Sequence, residues 1–166
     1  MSSRAKGVRP PAAPAAGRLW RQVATLGGLG LLPVAPGTAG SLVGLFVCLP
    51  LLWLGWVVHL AAALILAGVA VLAADRLVRE TGDADPQRVV IDELVGMWLA
   101  ALAVPAQAYE LGAVFVLFRI FDVVKPAPIP RLERLPGGWG VVADDVAAGL
   151  LARAAWWLLK ANFDFL

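Results

Sequence analysis

The sequence predicts an all-α, multi-pass membrane bundle, and three observations support that prediction. Of 166 residues, 60% are hydrophobic and 16% charged, against about a quarter charged in ordinary soluble domains. Mean hydropathy is +0.79. The apolar residues fall in long runs without strand-like alternation, and seven Trp against one Tyr suit anchoring at a membrane interface.

The elements follow in order. "MSSRAKGVRPPAAPAAGR" is rich in Pro, Ala and Arg and lacks the apolar core of a signal peptide, so residues 1–20 read as a retained, flexible basic tail. Residues 21–166 read as a single membrane-embedded domain with about five apolar helices. Within it, "VATLGGLGLLPVAP" (23–36) is apolar but broken by three glycines and two prolines, which predicts a short or re-entrant helix. "SLVGLFVCLPLLWLGWVV" (41–58) and "HLAAALILAGVAVLAA" (59–74) predict a helical hairpin that turns around Gly55–His59, with Pro50 a site for a kink. The polar stretch "DRLVRETGDADPQR" separates this hairpin from apolar segments at 89–104 and 109–124. A Pro/Gly loop then leads to a last helix near 144–160.

Charge orients the bundle. With the tail cytoplasmic, the loops at 75–91 and 125–143 are cytoplasmic too. That side then holds Arg4, Lys6, Arg9, Arg18, Arg21, Arg76, Arg79, Arg88, Lys125, Arg131 and Arg134, with Arg119 adjacent. The opposite side keeps Lys160, with Arg153 inside the last helix. Lys and Arg accumulate on cytoplasmic loops, so the N-in, C-out assignment is self-consistent. The net charge of +2 and the lack of a basic, aromatic-interleaved run exclude a nucleic-acid partner.

The acids obey the same arithmetic. Asp75, Asp85, Asp92, Glu93, Asp122, Asp144 and Asp145 all fall near cytoplasmic helix ends; Glu110 and Asp164 fall opposite. Converging carboxylates repel one another and need a positive centre. Hard oxygen donors of this kind suit Mg²⁺, which is commonly shared with a phosphate. The expected ligands are Asp92, Glu93, Asp122, Asp144 and Asp145, with Asp92, Glu93, Asp122 and Asp145 as the catalytic set. Arg119 and Lys125 flank Asp122 three residues away on either side, as phosphate recognition requires. "VAPGTAGS" (34–41) adds Gly37 and Gly40 for close backbone approach, and Thr38 and Ser41 as hydroxyls at a helix start. Ser41 has the alternative role of a helix N-cap, and Asp144 and Asp145 that of caps on the last helix. Structural ion pairs at helix ends are the alternative for any one acid.

Elimination narrows the chemistry. The lone histidine, His59, lies on the far side, so a phosphohistidine route is absent. Cys48 has no arginine six positions on and reads as a small buried hydrophobe. "DADPQ" (83–87) lacks the pattern and the preceding strand of an aspartyl-phosphate motif. Metal-assisted attack of water on a phosphomonoester remains. A buried acidic cluster would equally suit a membrane ion transporter or channel subunit, but that reading predicts acids spread through the membrane's depth. A lipid phosphotransferase would need a DG…AR…G…D…D run, which is missing.

Four ordered motifs, "PGTAGS", "DPQRVVIDELVGMW", "FRIFDVVKPAPI" and "GGWGVVADDVAAG", resemble those of bacterial phosphatidylglycerophosphatase A across residues 24–160. The resemblance implies a Mg²⁺-dependent phosphatase of the bacterial inner membrane that faces the cytoplasm. Its substrate would be the phospholipid phosphatidylglycerophosphate, converted to phosphatidylglycerol and phosphate. Arg153, eight residues after Asp145 on the same stripe, is expected to pair with a site acid.

Overall fold

The computed structural model describes residues 15–82 and 88–163. Every regular element among them is a helix: α1 (Ala15–Ala24), a 3-10 turn (Leu26–Leu31), α2 (Pro36–Trp53), α3 (Trp56–Thr81), α4 (Ile91–Ala100), α5 (Ala108–Val124), α6 (Ile129–Leu132) and α7 (Gly138–Phe163). The all-helical expectation holds. Helices α2 and α3 are long and apolar enough to cross a membrane. Asp85 and the "DADPQ" stretch lie outside the described residues, as does Asp164.

Several boundaries differ from those read in the sequence. Residues 15–20, assigned to the tail, belong to α1, because Trp20 and Val23 find apolar cover in the core. Arg21 also reaches Glu80 of α3 at 2.7 Å. The broken segment after it forms the short 3-10 turn, where Gly27 and Gly28 adopt positive φ and Thr25 accepts from the Gly28 N–H at 3.1 Å. The α2–α3 turn is tighter than expected and centres on Gly55 (φ 91°). His59 is therefore inside α3, not in the turn; it is buried, edge-on to Trp98 at 6.3 Å. Helix α3 also continues past residue 74 to Thr81, since Leu77 and Val78 extend its core-facing stripe. An Asp75–Arg79 pair one turn apart (2.9 Å) supports the same turns.

Helix α4 has the largest bearing on function. Its ten residues replace the apolar segment expected over 89–104 and make a rod of about 15 Å, half a hydrocarbon core. Eight of the ten are buried. Two apolar clusters form the core: one joins α1, α3, α4 and α7, the other α2, α4, α5, α6 and α7. Helices α4 and α7 belong to both. Outward-facing Phe46 and Val47 on α2, and Val57, Leu64, Ile65 and Leu72 on α3, are exposed.

The end of the bundle away from α4's start has its own polar cluster. Buried Glu110 accepts from Trp156 Nε1 at 2.6 Å and pairs with Lys160. Arg153 does not pair with a site acid. Eight residues of helix carry it about 12 Å beyond Asp145, where its Nε donates to the Leu102 carbonyl just past α4. Cys48 is fully buried and its thiol donates to the Leu45 carbonyl, in keeping with a packing role.

Candidate active site

Four helices bring polar side chains to one end of the bundle. The first turn of α4 presents Asp92 and Glu93, where the helix N-terminus favours negative charge. Asp92 Oδ1 accepts from the Glu93 N–H at 3.1 Å. Asp145 arrives from α7. Its position follows from the helix crossing: a Cβ at Gly96 would lie 2.5 Å from Phe118 Cε2 and 2.7 Å from the Asp145 carbonyl oxygen. A Cβ at Gly149 would collide with the Gly96 carbonyl. Only glycine lets the two backbones approach this closely. Gly96 and Gly149 follow Asp92 and Asp145 by one helical turn each, so the crossing sets the two acids side by side.

Carboxylate oxygens of Asp92, Glu93 and Asp145 all lie within 4.8 Å of one another. Asp92 and Asp145 are 8% and 4% exposed. Glu93 Oε2 and Asp145 Oδ1 are buried without a hydrogen-bond partner. Three converging acids with orphaned oxygens are unfavourable as they stand and form a donor set for a hard cation. Glu93 is admitted by α2, since a Cβ at Gly37 would occupy the place of Glu93 Oε1. Gly40 approaches the Val90 carbonyl in the same way, at 3.0 Å from its notional Cβ.

Two ion-paired cations flank the three acids. Arg119 Nη1 contacts Asp122 Oδ2 at 2.8 Å, one turn on along α5, and donates to Ser41 Oγ at 3.2 Å. Ser41 in turn donates to the Gly37 carbonyl at 2.9 Å. Lys125, in left-handed conformation at the C-cap of α5, contacts Asp144 at 2.7 Å and also pairs with Glu133. Burial opposes the Lys125 charge, but its hydrogen bonds to Asp144 and Glu133 outweigh it and hold the ammonium above the usual lysine range.

The acids and cations line a cavity of about 360 Å³ together with Gly37, Thr38 and Val141, at the small end of ligand sites. Of the residues read from sequence, Asp92, Glu93, Asp122, Asp144, Asp145, Thr38, Arg119 and Lys125 line it. The structure divides their roles. Ser41 is fully buried behind the wall and holds Arg119, so it is neither a phosphate ligand nor an N-cap; the cap position is Ala35. Asp122 and Asp144 border the three-acid group in the same cavity, and each is also paired with a cation. Asp144 and Asp145 do not cap α7, because that helix starts at Gly138. Sequence reading missed Glu133, an acid in a Pro/Gly loop with no local signal. It also missed the Gly96–Gly149 crossing, for which the repeated spacing in "DELVG" and "DVAAG" was the available clue.

Comparison with known proteins gives the family. The sequence profile of the family Phosphatidylglycerophosphatase A matches residues 22–160. A Bacteroides thetaiotaomicron protein, provisionally named a phosphatidylinositol-3-phosphatase, is 41% identical over 143 residues, covering 78% of this chain and 89% of the relative. Phosphatidylglycerophosphatase A of Escherichia coli K12 is 33% identical over 135 residues, covering 80% and 78%. The Haemophilus influenzae protein of the same name is 35% identical over 128 residues, covering 75% and 78%. No solved structure matches the chain. With the site's acids and cations all inside the matched range, the chain belongs to the phosphatidylglycerophosphatase A family of phosphatases.

Proposed function

We infer that this protein is a membrane-embedded, Mg²⁺-dependent phosphatase that hydrolyses phosphatidylglycerophosphate to phosphatidylglycerol and inorganic phosphate. The observation that supports it best is the grouping of Asp92, Glu93 and Asp145 within 4.8 Å beside two ion-paired cations in one cavity. Mg²⁺ held there by Asp92, Glu93 and Asp145 would neutralise charge on the phosphoryl group and lower the pKa of a bound water. Arg119, steadied by Ser41 and Asp122, orients the phosphate by charge-assisted hydrogen bonds. Lys125 offers a second positive charge, shared with Asp144 and Glu133. Thr38 lines the same cavity and adds a hydroxyl.

In this reading the chain crosses the bacterial inner membrane in five passes with the N-terminus and the site cytoplasmic. Helices α2, α3, α5 and α7 supply four passes. The fifth is α4 continued by residues 101–107, where enclosure by protein permits a helix too short to span lipid. The cytoplasmic placement rests on the Lys/Arg bias. The ion-transporter alternative has no support from the family match, and the acids grouped in the cavity lie at one end.

The 41% identity to the provisionally named phosphatidylinositol-3-phosphatase favours a second substrate reading in which the same phosphomonoester chemistry acts on an inositol lipid. One assay decides. Phosphate release by purified protein is measured with and without Mg²⁺ on phosphatidylglycerophosphate, phosphatidylinositol 3-phosphate and phosphatidic acid. Turnover of phosphatidylglycerophosphate only with Mg²⁺ is expected. Selective turnover of the inositol lipid would transfer the assignment, and metal-independent turnover would remove Mg²⁺ from it.

A further inference from the structure

An apolar groove of about 470 Å³ opens beside the catalytic cavity on the outer surface of α5. It shares two lining residues with that cavity, Thr38 and Arg119. Beyond them it runs over Phe115, Val116, Ile120 and Val123. Val116, Ile120 and Val123 are 54%, 48% and 70% exposed and have little cover among the described residues. The surface therefore changes from acids and cations to bare aliphatic side chains across a single pair of residues. A second apolar groove, of about 360 Å³ between α3 and α7, is lined by Leu64, Gly68, Trp139 and Val146 among others and shares no residue with the cavity.

We propose that the α5 groove seats the glycerol backbone and first acyl segment of the lipid substrate, with Thr38 and Arg119 as the gate between headgroup and tail. The proposal rests on the lipid phosphatase reading above and adds to it the route by which the lipid lies in the protein. An amphipathic substrate with its phosphomonoester at the three acids must leave the cavity somewhere, and the tail must remain in lipid. The passage over Thr38 and Arg119 meets both demands, because it leads from the charged cavity onto a surface already facing hydrocarbon. Arg119, which lines both cavity and groove, lies on the path that the lipid's internal phosphodiester would take between them. Lipid tails and aliphatic side chains are equally apolar, so the groove adds little affinity by hydrophobic transfer. Its role is to provide a path, and filling it acts by obstruction.

The test uses the purified full-length chain in lipid nanodiscs, assayed by phosphate release. The probes are diacyl phosphatidylglycerophosphate and its deacylated headgroup. Val116→Trp and Ile120→Trp fill the groove at exposed positions, and Leu64→Trp fills the α3–α7 groove as the control. Either groove variant is expected to lower the preference for diacyl over deacylated substrate, as a ratio of kcat/KM, by at least about tenfold, equivalent to about 1.4 kcal/mol. Leu64→Trp is expected to leave that ratio within about twofold of the parent, a shift of under roughly 0.5 kcal/mol. An unchanged ratio in both groove variants, or an equal fall in Leu64→Trp, overturns the proposal while leaving the phosphatase reading intact. Failure of the parent protein to hydrolyse either probe removes the phosphatase reading itself, and the groove assignment with it.

Discussion

Gly96 on α4 faces Asp145 on α7 so closely that a Cβ at position 96 would lie 2.7 Å from the Asp145 carbonyl oxygen. This contact couples the packing of the bundle to the geometry of the acids. Gly96→Ala must push the two helices apart or displace Phe118, at a cost of about 1–3 kcal/mol for overpacking. Activity is expected to fall more than stability, because the carboxylates separate with the helices. Gly112→Ala on α5, where an added Cβ meets nothing within 4 Å, is the control and gains slightly from helix propensity. Thermal unfolding and phosphate release measured on both variants check this. An active, stable Gly96→Ala protein would show that the crossing does not hold the site.

Asp92→Asn, Glu93→Gln and Asp145→Asn each remove one charge from the three-acid group. Each is expected to lower turnover by roughly two orders of magnitude or more, the scale for losing one preorganised electrostatic partner. Residual activity should require more Mg²⁺. Asp122→Asn is expected to be milder in its metal requirement, since Asp122 is engaged by Arg119 at 2.8 Å. Isothermal titration with Mg²⁺, alongside the kinetics, separates ligands from neighbours. An unshifted Mg²⁺ affinity in Asp145→Asn would exclude that residue as a ligand.

Arg119→Ala removes the charge-assisted contact assigned to phosphate, a loss of about 1.5–3 kcal/mol or roughly ten- to a hundredfold in rate. The Mg²⁺ requirement should change little. Ser41→Ala keeps the guanidinium but frees it from its 3.2 Å anchor, so a smaller loss in the same direction is expected. If Arg119→Ala raises the Mg²⁺ requirement as far as Asp145→Asn does, Arg119 serves to orient the acids and not the phosphate.

Lys125 is held above the usual lysine range by Asp144 and Glu133. A cation whose folded pKa is raised contributes stability fully below its unfolded pKa of about 10.4 and loses it as pH rises through the folded value. The stability gap between the parent and Lys125→Met should therefore stay constant from about pH 6 to 9 and narrow only in stronger alkali. Denaturant titrations across that range test it. A gap that closes near neutrality would mean that the ammonium is not the group being stabilised.

The orientation is open to labelling from either side, because the one native cysteine, Cys48, is fully buried. Arg79→Cys and Arg131→Cys are expected to react only with reagent reaching the cytoplasm. Trp53→Cys, 81% exposed at the far turn, should react from outside intact cells. Arg131→Cys labelled from outside would invert the topology and place the site on the wrong face.

The sequence by itself determined the composition of the membrane-facing surface, the all-helical class and the gathering of acids at one end. These follow from local quantities, apolar run length and the position of charges relative to run ends, which do not depend on what packs against what. Thr38, Arg119, Asp122, Lys125 and the four acids Asp92, Glu93, Asp144 and Asp145 were legible for that reason. The division of labour among them was not. Whether Asp144 belongs with Asp145 or with Lys125 depends on the azimuth of α7 against α4 and α5, and adjacent residues on a helix point about 100° apart. Only the packed structure sends one to the acids and the other to the ion pair. The shortness of α4 was hidden likewise, since an apolar run cannot reveal that protein on all sides replaces lipid. Ser41 and Arg153 were misplaced because their partners, Arg119 and the Leu102 carbonyl, lie 78 and 51 residues away. Such long-range pairs are set by helix crossings, and here a pair of glycines at equal spacing from two aspartates decides the crossing.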